Sequence, residues 1–373
     1  MSSPGFFARL KLINPSQSVA KDTDALRIGI LGAANIAPPA LIGPAKLLRS
    51  IIVVSVAARD QAKAKAYADK HGIPNTHVSY DALIADPEID CIYNPLPNGL
   101  HYEWTRKALQ AGKHVLLEKP AASNEEQAKD LVALAQSKNL VLLEAFHYRF
   151  HPASLRFREL VQSHVAEGHA IRKITSIMAF PAIFGKDDIR FNYKLAGGIV
   201  MDAGCYTINS IRYFSGLEVE SVESATPKIV SENIDGRMEA TLKLKDSGAD
   251  ARLIASLTNP WLSVQTYKEV LPRVTVETDT KVFTFGNFLI AGIYHYITVQ
   301  DKATGRTENL PKQYGEGFST YKYQLEAFVK AVKSGNKKDV INSIPGWVPG
   351  EDSIANMKVI DEVYTRAGMK LRE

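Results

Sequence analysis

Directly after the apolar run from Leu26 to Leu31 stand Gly32-Ala33-Ala34-Asn35-Ile36-Ala37, where a glycine turn running into a helix start would aim several backbone N–H groups at one anion. A dinucleotide-binding turn asks for glycine at the first, third and sixth of these positions. Only Gly32 meets that demand; Ala37 is tolerated at the sixth, and Ala34 adds a methyl where the backbone must approach a pyrophosphate. Gly32, Ala34, Asn35 and Ile36 are the candidate phosphate contacts, and a ligand-free strand-to-helix turn is the alternative use of the same residues. Pro38, Pro39 and Pro44 predict a helix that starts late or is kinked, because proline inside a helix costs about 3 kcal/mol. At the end of the next apolar run, Ala57-Ala58-Arg59-Asp60 put an arginine where the 2′-phosphate of NADP would be clasped, which favours NADP over NAD. The competing assignment leaves Arg59 in solvent, with Asp60 capping the following helix or accepting from a ribose.

These turns need a scaffold, and the chain supplies one. From Leu26 to about Phe146, short apolar runs alternate with helical stretches, the pattern of a parallel sheet wrapped by helices. LRIGILG, IIVVSVAA, DCIYNPL, HVLLEKP and LVLLEAF read as strands. A helix over QAKAKAYADKHG is expected to be capped by Asp60 and stopped at Gly72. Beyond His151, a helix over residues 153–166 leads into β-rich segments that imply a large, mostly antiparallel open sheet. The expected class is α/β: an arm over residues 1–25, a Rossmann dinucleotide-binding domain over 26–150, and an α+β domain over 151–373 for substrate and assembly. Two late helices, YKYQLEAFVKAVKSG and EDSIANMKVIDEVYTRAG, could pack on either domain.

Composition narrows the function classes. At 373 residues the chain is long enough for two cores. The net charge of +5 is scattered, without the basic face that binding nucleic acid by counterion release requires. No apolar run approaches the roughly 18 to 20 residues that span a bilayer. Two cysteines in apolar settings, Cys91 and Cys205, suit buried thiols in a reducing compartment; no metal-ligand cysteine pair occurs, and no metal is expected. A cytoplasmic enzyme fits, although residues 1–25, with three basic residues and no acid before Asp22, could also be an organelle transit peptide. As an arm, this segment would lie over the body through Phe6, Phe7, Leu10 and Leu12.

Further along, Asn94-Pro95-Leu96-Pro97-Asn98-Gly99-Leu100-His101, Glu118-Lys119-Pro120 and Gly197-Gly198-Ile199-Val200-Met201-Asp202-Ala203-Gly204-Cys205-Tyr206 make the chain resemble the glucose–fructose oxidoreductase and inositol dehydrogenase family, Gfo/Idh/MocA, from about Leu26 onward. The tyrosine at 206 is similar to the form found in its dihydrodiol dehydrogenase and NADP-dependent D-xylose dehydrogenase branches. The resemblance implies that Lys119 and Tyr206 face the reacting carbon, with Asp202 orienting the substrate or its partners. Pro97, Asn98 and His101 would line the nicotinamide end, and Glu118 would support the lysine. It also implies a homodimer built on the second domain's sheet. Outside the resemblance, Lys119 could be a surface charge, Tyr206 a half-buried aromatic, Asp202 a helix cap and His101 a packed histidine.

The chemistry of these types suits hydride transfer at an alcohol carbon, which needs a base for the hydroxyl proton. A tyrosine of unperturbed pKa near 10 is ionised about once in a thousand at neutral pH, a deficit of roughly 4 kcal/mol. One positive charge about 4 Å away in a partly screened cleft is worth a comparable amount before desolvation. Asp202 lies four residues before Tyr206, so a helical turn there puts both on one face. Tyr148 and Arg149 in EAFHYRFHP, and Tyr193, are candidate substrate contacts, with domain packing the alternative for the first two. The expected reaction is NADP-dependent oxidation of an aldopyranose such as D-xylose at C1 to the lactone. A cyclic trans-dihydrodiol or a dicarbonyl is the alternative substrate, with Phe191, Tyr193 and Trp261 lining an apolar pocket. A regulatory protein that binds NADP(H) without turnover is the alternative outside enzymes.

Overall fold

The computed structural model describes residues 5–13, 15–181, 184, 185, 187–259 and 272–373, apart from the side chains of 258 and 259. Trp261 lies outside the described residues. The chain divides into two compact units: residues 1–122, 126–151 and 314–354 in the first, and 123–125, 152–313 and 355–373 in the second.

The first unit is built on six parallel strands, β1 (Leu26–Leu31), β2 (Ile51–Ala57), β3 (Asn75–His77), β4 (Cys91–Asn94), β5 (His114–Leu117) and β6 (Leu142–Glu144). Their spatial order is β3-β2-β1-β4-β5-β6, so the chain reverses direction across the sheet between β1 and β4. In open α/β sheets, ligands bind at that switch point, beyond the carboxyl ends of the strands. Near-continuous apolar runs form these strands because both faces are covered; Ile28, Ile30, Val115, Leu116 and Leu117 are fully buried. The helices are α1 (Phe6–Ile13), α2 (Gly43–Leu47), α3 (Gln61–His71), α4 (Tyr80–Ala85), α5 (His101–Gln110) and α6 (Glu125–Ser137). At the head of α3, Asp60 accepts from the amides of Ala62 and Lys63, and at its end Gly72 adopts φ 68°, the capping expected from the sequence.

Two expectations are corrected here. Residues 6–13 form a helix whose phenylalanines do not anchor it: Phe7 is 78% exposed, and Phe6 and Leu10 are also exposed. Its buried residue is Arg9, 8% exposed, with the guanidinium 3.7 Å from the centre of the Tyr314 ring, a stacking that lets a cation lie against an aromatic face. Residues 314–354, counted from sequence in the second domain with their helix free to pack on either, cluster with the first unit. The reason is α9 (Thr320–Lys333), whose buried Leu325, Phe328, Val329 and Val332 form an apolar face packed on α2 and on the 147–150 turn.

The second unit holds α7 (Pro152–Ala166), β7 (Ile171–Pro181), α8 (Cys205–Ser215), β8 (Val219–Ser231), β9 (Ile234–Leu244), β10 (Asp250–Asn259), β11 (Arg273–Thr278), β12 (Lys281–Gly286), β13 (Tyr296–Asp301) and β14 (Thr307–Asn309). The eight strands run β14-β13-β12-β11-β7-β10-β9-β8, antiparallel at every pair except β7 with β10. The run VTVETDTKVFTF is the β11–β12 hairpin, turning at Asp279 and Thr280. From Gly236 onward β9 alternates, with Met238, Ala240, Leu242 and Leu244 buried and Arg237, Glu239, Thr241 and Lys243 partly exposed, so one face there is covered and the other open. After α9 the chain continues through α10 (Lys338–Asn342) and α11 (Gly350–Arg366).

Candidate active site

The anion turn is open. Gly32 leaves β1 at φ 86°, donates its amide to the Ala57 carbonyl at 2.7 Å, and passes so close to Leu96 that a Cβ would lie 2.9 Å from Leu96 Cδ2. Glycine is required here both by the left-handed backbone and by the contact. Among the described residues, no hydrogen bond claims the amides of Ala33, Ala34, Asn35 or Ile36. Asn35 and Ile36 are exposed, and the Tyr67 hydroxyl holds the Ala34 carbonyl at 2.9 Å. Burial pushes that phenol up to about 12, so it remains a donor. Consecutive unclaimed amides at a helix start fit a diphosphate. The prolines fall where they cost little: Pro38 and Pro39 open a π-helical turn, Pro38–Ile42, in which the Gly43 amide reaches the Pro38 carbonyl, and Pro44 sits in the first turn of α2. Arg59 is exposed at the end of β2, with no carboxylate partner among the described residues, while Asp60 Oδ1 is committed to the α3 cap.

Lys119 follows β5 at its carboxyl end, half-buried, ahead of a cis peptide to Pro120. The turns around it are tied internally. The fully buried Asn94 donates to Thr105 Oγ1 at 3.0 Å, accepts from the Leu96 amide, and its carbonyl receives the Glu118 amide. His101 has no exposed surface; its Nδ1 faces the Pro120 carbonyl and its Nε2 the Leu96 carbonyl, both at 2.7 Å. The ring therefore bridges the turns after β4 and β5, as the packed alternative for this histidine requires. Burial drives its pKa down to about 4, outweighing the two carbonyls, so a neutral ring donates one of the two bonds. Glu118 accepts from the Tyr93 hydroxyl at 2.7 Å. His147, whose Nδ1 is 2.7 Å from Thr320 Oγ1, stacks on Tyr321 at 3.9 Å. Burial, then the charges of Lys119 and His151, push His147 down to about 3 and leave it neutral. Pro97 and Asn98 are half-buried at the start of the following turn.

Behind Lys119, Glu144 at the end of β6 accepts from the Ala121 amide at 2.9 Å, and its Oε2 has no hydrogen-bond partner among the described residues. Tyr148 is fully buried, and Arg149 is enclosed with its guanidinium paired to Asp352 and donating to the Trp347 carbonyl at 2.7 Å. Burial of both side chains and the Arg149–Asp352 ion pair are what the packing alternative calls for.

In the second unit, Val200–Gly204 form a π-helical turn that runs into α8, with Asp202 and Tyr206 four residues apart. Asp202 does not cap α8, whose N-cap is Gly204; its carboxylate accepts from Arg190 Nε at 2.7 Å, and Arg190 also pairs with Asp188. Tyr206 is 4% exposed. The segment is fastened from behind by residues the sequence did not reveal. Gly198, at φ 119°, lies against Asp235, leaving no room for a Cβ. Asp235 accepts from the Val200 amide at 2.9 Å, the Tyr364 hydroxyl at 3.1 Å and Arg372 Nη2 at 2.9 Å. Arg372 Nε reaches the Gly197 carbonyl at 2.7 Å, and the side chains of both ions have no exposed surface. Burial raises the Asp235 carboxyl to about 6 against the pull of Arg372. Tyr193, expected at substrate, donates its hydroxyl to the Leu371 carbonyl. Such pairings join residues up to 178 positions apart, and no local spacing announces them.

An open amide-lined turn at the switch point of a doubly wound sheet, in a chain with a second, mostly antiparallel unit, defines a nicotinamide-dependent oxidoreductase of two-domain design. Residues 26–146 match the oxidoreductase family with an NAD-binding Rossmann fold, and residues 157–277 match the GFO/IDH/MocA C-terminal domain; the chain belongs to this Gfo/Idh/MocA family. It is 34% identical over 343 residues to the D-xylose 1-dehydrogenase (NADP(+)) 2 of Haloferax volcanii, 92% of this chain and 97% of that one. The trans-1,2-dihydrobenzene-1,2-diol dehydrogenase of Xenopus laevis is 39% identical over 174 residues, 46% of this chain and 51% of its own. A 3-ketoreductase from Actinomadura kijaniata, crystallised with NADP and TDP-benzene, superposes with a TM-score of 0.77 at 25% identity, covering 91% of this chain and 97% of that one. No described helix is long and apolar enough to cross a membrane.

Proposed function

We propose that this chain is an NADP-dependent dehydrogenase that oxidises an aldopyranose such as D-xylose at C1 to the lactone. The observation that carries this reading is the setting of Lys119: a half-buried ammonium at the carboxyl end of β5, beside a neutral His147 and next to a Glu118 carboxylate anchored by Tyr93. Similarity over nearly the whole chain to a D-xylose dehydrogenase supports the substrate, and Arg59, without a carboxylate partner, supports NADP. Bound NADP supplies the hydride acceptor. Gly32 and the amides of residues 33–36 hold its diphosphate, Arg59 its 2′-phosphate, and Pro97 and Asn98 flank the nicotinamide. The Lys119 ammonium stabilises Tyr206 as the phenolate, which takes the C1 hydroxyl proton as C1 gives up its hydride and so becomes the neutral phenol. Asp202, oriented by Arg190, accepts from a neighbouring sugar hydroxyl.

The test is NADP reduction followed at 340 nm with D-xylose, D-glucose and other aldoses. Lys119→Met is expected to keep NADP binding and lose turnover. Absence of NADP reduction with every aldose would remove the sugar assignment. A trans-dihydrodiol is the second reading, favoured by the similarity to the Xenopus enzyme, and faster turnover of diols than of aldoses would establish it. The open face of the eight-stranded sheet supports a homodimer, read by light scattering as twice 41.1 kDa. The two free, buried cysteines support a cytosolic setting, to be checked by imaging a fluorescent fusion with and without residues 1–25.

A further inference from the structure

At the far end of α7 in the second unit, two histidines and an aspartate from three segments meet. His164 is buried in the last turn of the helix, His169 lies in the loop that follows, and Asp279 lies in the β11–β12 turn. One ligand atom from each is within 4.8 Å of the other two. His169 Nδ1 is 3.2 Å from Asp279 Oδ1, and Thr280 Oγ1 lies 3.1 Å from His164 Nε2 and 3.3 Å from His169 Nδ1, so the two ring nitrogens face one point. A hydroxyl has one proton to give and can satisfy only one of those nitrogens as acceptor. The imidazole rings are stacked at 4.0 Å and 17°, an arrangement two imidazolium ions would not share.

We propose that His164, His169 and Asp279 bind a divalent transition-metal ion, Zn2+ foremost, which clasps the end of α7 to the β11–β12 turn. Ligands about 2.0 to 2.2 Å from a tetrahedral ion stand roughly 3.3 Å from one another, so ion binding draws in atoms now within 4.8 Å and turns the two imidazoles out of their stack until each ring plane contains the ion. Two imidazoles and a carboxylate suit Zn2+, Co2+ and Ni2+ rather than Mg2+ or Ca2+. Neutral rings are the ligating form; burial, then the charges of His169 and Lys281, lower the pKa of His164, while Glu167 raises it. Glu167 Oε2, 3.5 Å from His164 Nδ1, is placed to orient that ring from behind, and Lys281 is the cation that opposes the ion. No cysteine pair announces a metal in this sequence; the set joins residues up to 115 positions apart.

The experiment uses the full chain, free of any affinity tag and stripped with chelator. Titration with Co2+ at pH 7.5 is expected to give visible absorption that saturates at one equivalent. Zn2+ is expected to raise the thermal midpoint, and Mg2+ to leave it unchanged. His169→Ala and Asp279→Ala, both partly exposed positions, are each expected to weaken Co2+ binding at least about tenfold. Absence of absorption change, an equal thermal shift with Mg2+, or undiminished binding in both variants would overturn the site.

Discussion

Two turns that carry candidate catalytic groups are each propped from behind by one buried carboxyl group, and the props differ. Beneath Lys119, Glu144 accepts one backbone amide, from Ala121, and its Oε2 has no hydrogen-bond partner among the described residues. Burial raises it to about 7, with the Asp352 charge adding and the Ser353 hydroxyl, the Ala121 amide and the Arg149 charge opposing. Beneath the Asp202–Tyr206 turn, Asp235 is met by an amide, a phenol and a guanidinium. Burial outweighs the partners at both, lifting the carboxyl with few of them to about 7 and the one ringed by donors to about 6, the latter with an arginine buried beside it.

Four experiments break or sharpen that contrast. Arg372→Ala leaves the Asp235 charge uncompensated and is expected to cost about 3–5 kcal/mol in urea unfolding. A variant as stable as the wild type would mean that the ion pair does not secure this turn. Glu144→Gln keeps an acceptor for Ala121 but cannot titrate. Because the folded pKa, about 7, lies above the ordinary 4.5, the native state holds a proton that the unfolded chain has lost between those values. That contribution is complete below about pH 4.5 and is lost as pH rises through 7. Wild-type stability is therefore expected to fall by roughly 3 kcal/mol across that window relative to Glu144→Gln, and parallel pH profiles would contradict it.

The anion turn sets the baseline. Arg59→Ala is expected to raise the KM for NADP by roughly ten- to a hundredfold with little change for NAD, read from initial rates. An equal loss with both cofactors would place Arg59 away from the 2′-phosphate. Gly32→Ala adds a methyl at φ 86° against Leu96 and is expected to cost about 1–2 kcal/mol in thermal or urea unfolding.

Local pattern announced the Rossmann half well. The apolar runs of β1, β2, β4, β5 and β6, the Asp60 and Gly72 caps, and the position of Lys119 all express neighbouring residues acting on one another. The three-residue polar strand Asn75–His77 went unseen because it has no apolar period to read, and the prolines predicted a disturbed helix without specifying a π turn. What remained illegible were tertiary pairs. Arg149 looks the same in sequence whether it faces a ligand or Asp352, and His101 whether it faces a cofactor or two carbonyls. Asp235 and Arg372, 137 positions apart, become one device only when the chain has folded.

The return of residues 314–354 to the first unit makes that unit a chain in three pieces. Thr320 and Tyr321 are what His147 bonds to and stacks on, so a fragment ending near residue 150 would strip that imidazole of both and bare the apolar ground under α9. Anyone who wishes to transplant this nucleotide-binding half into another enzyme must carry the distant helix with it, by a circular rearrangement of the gene or a linker that replaces the whole intervening unit.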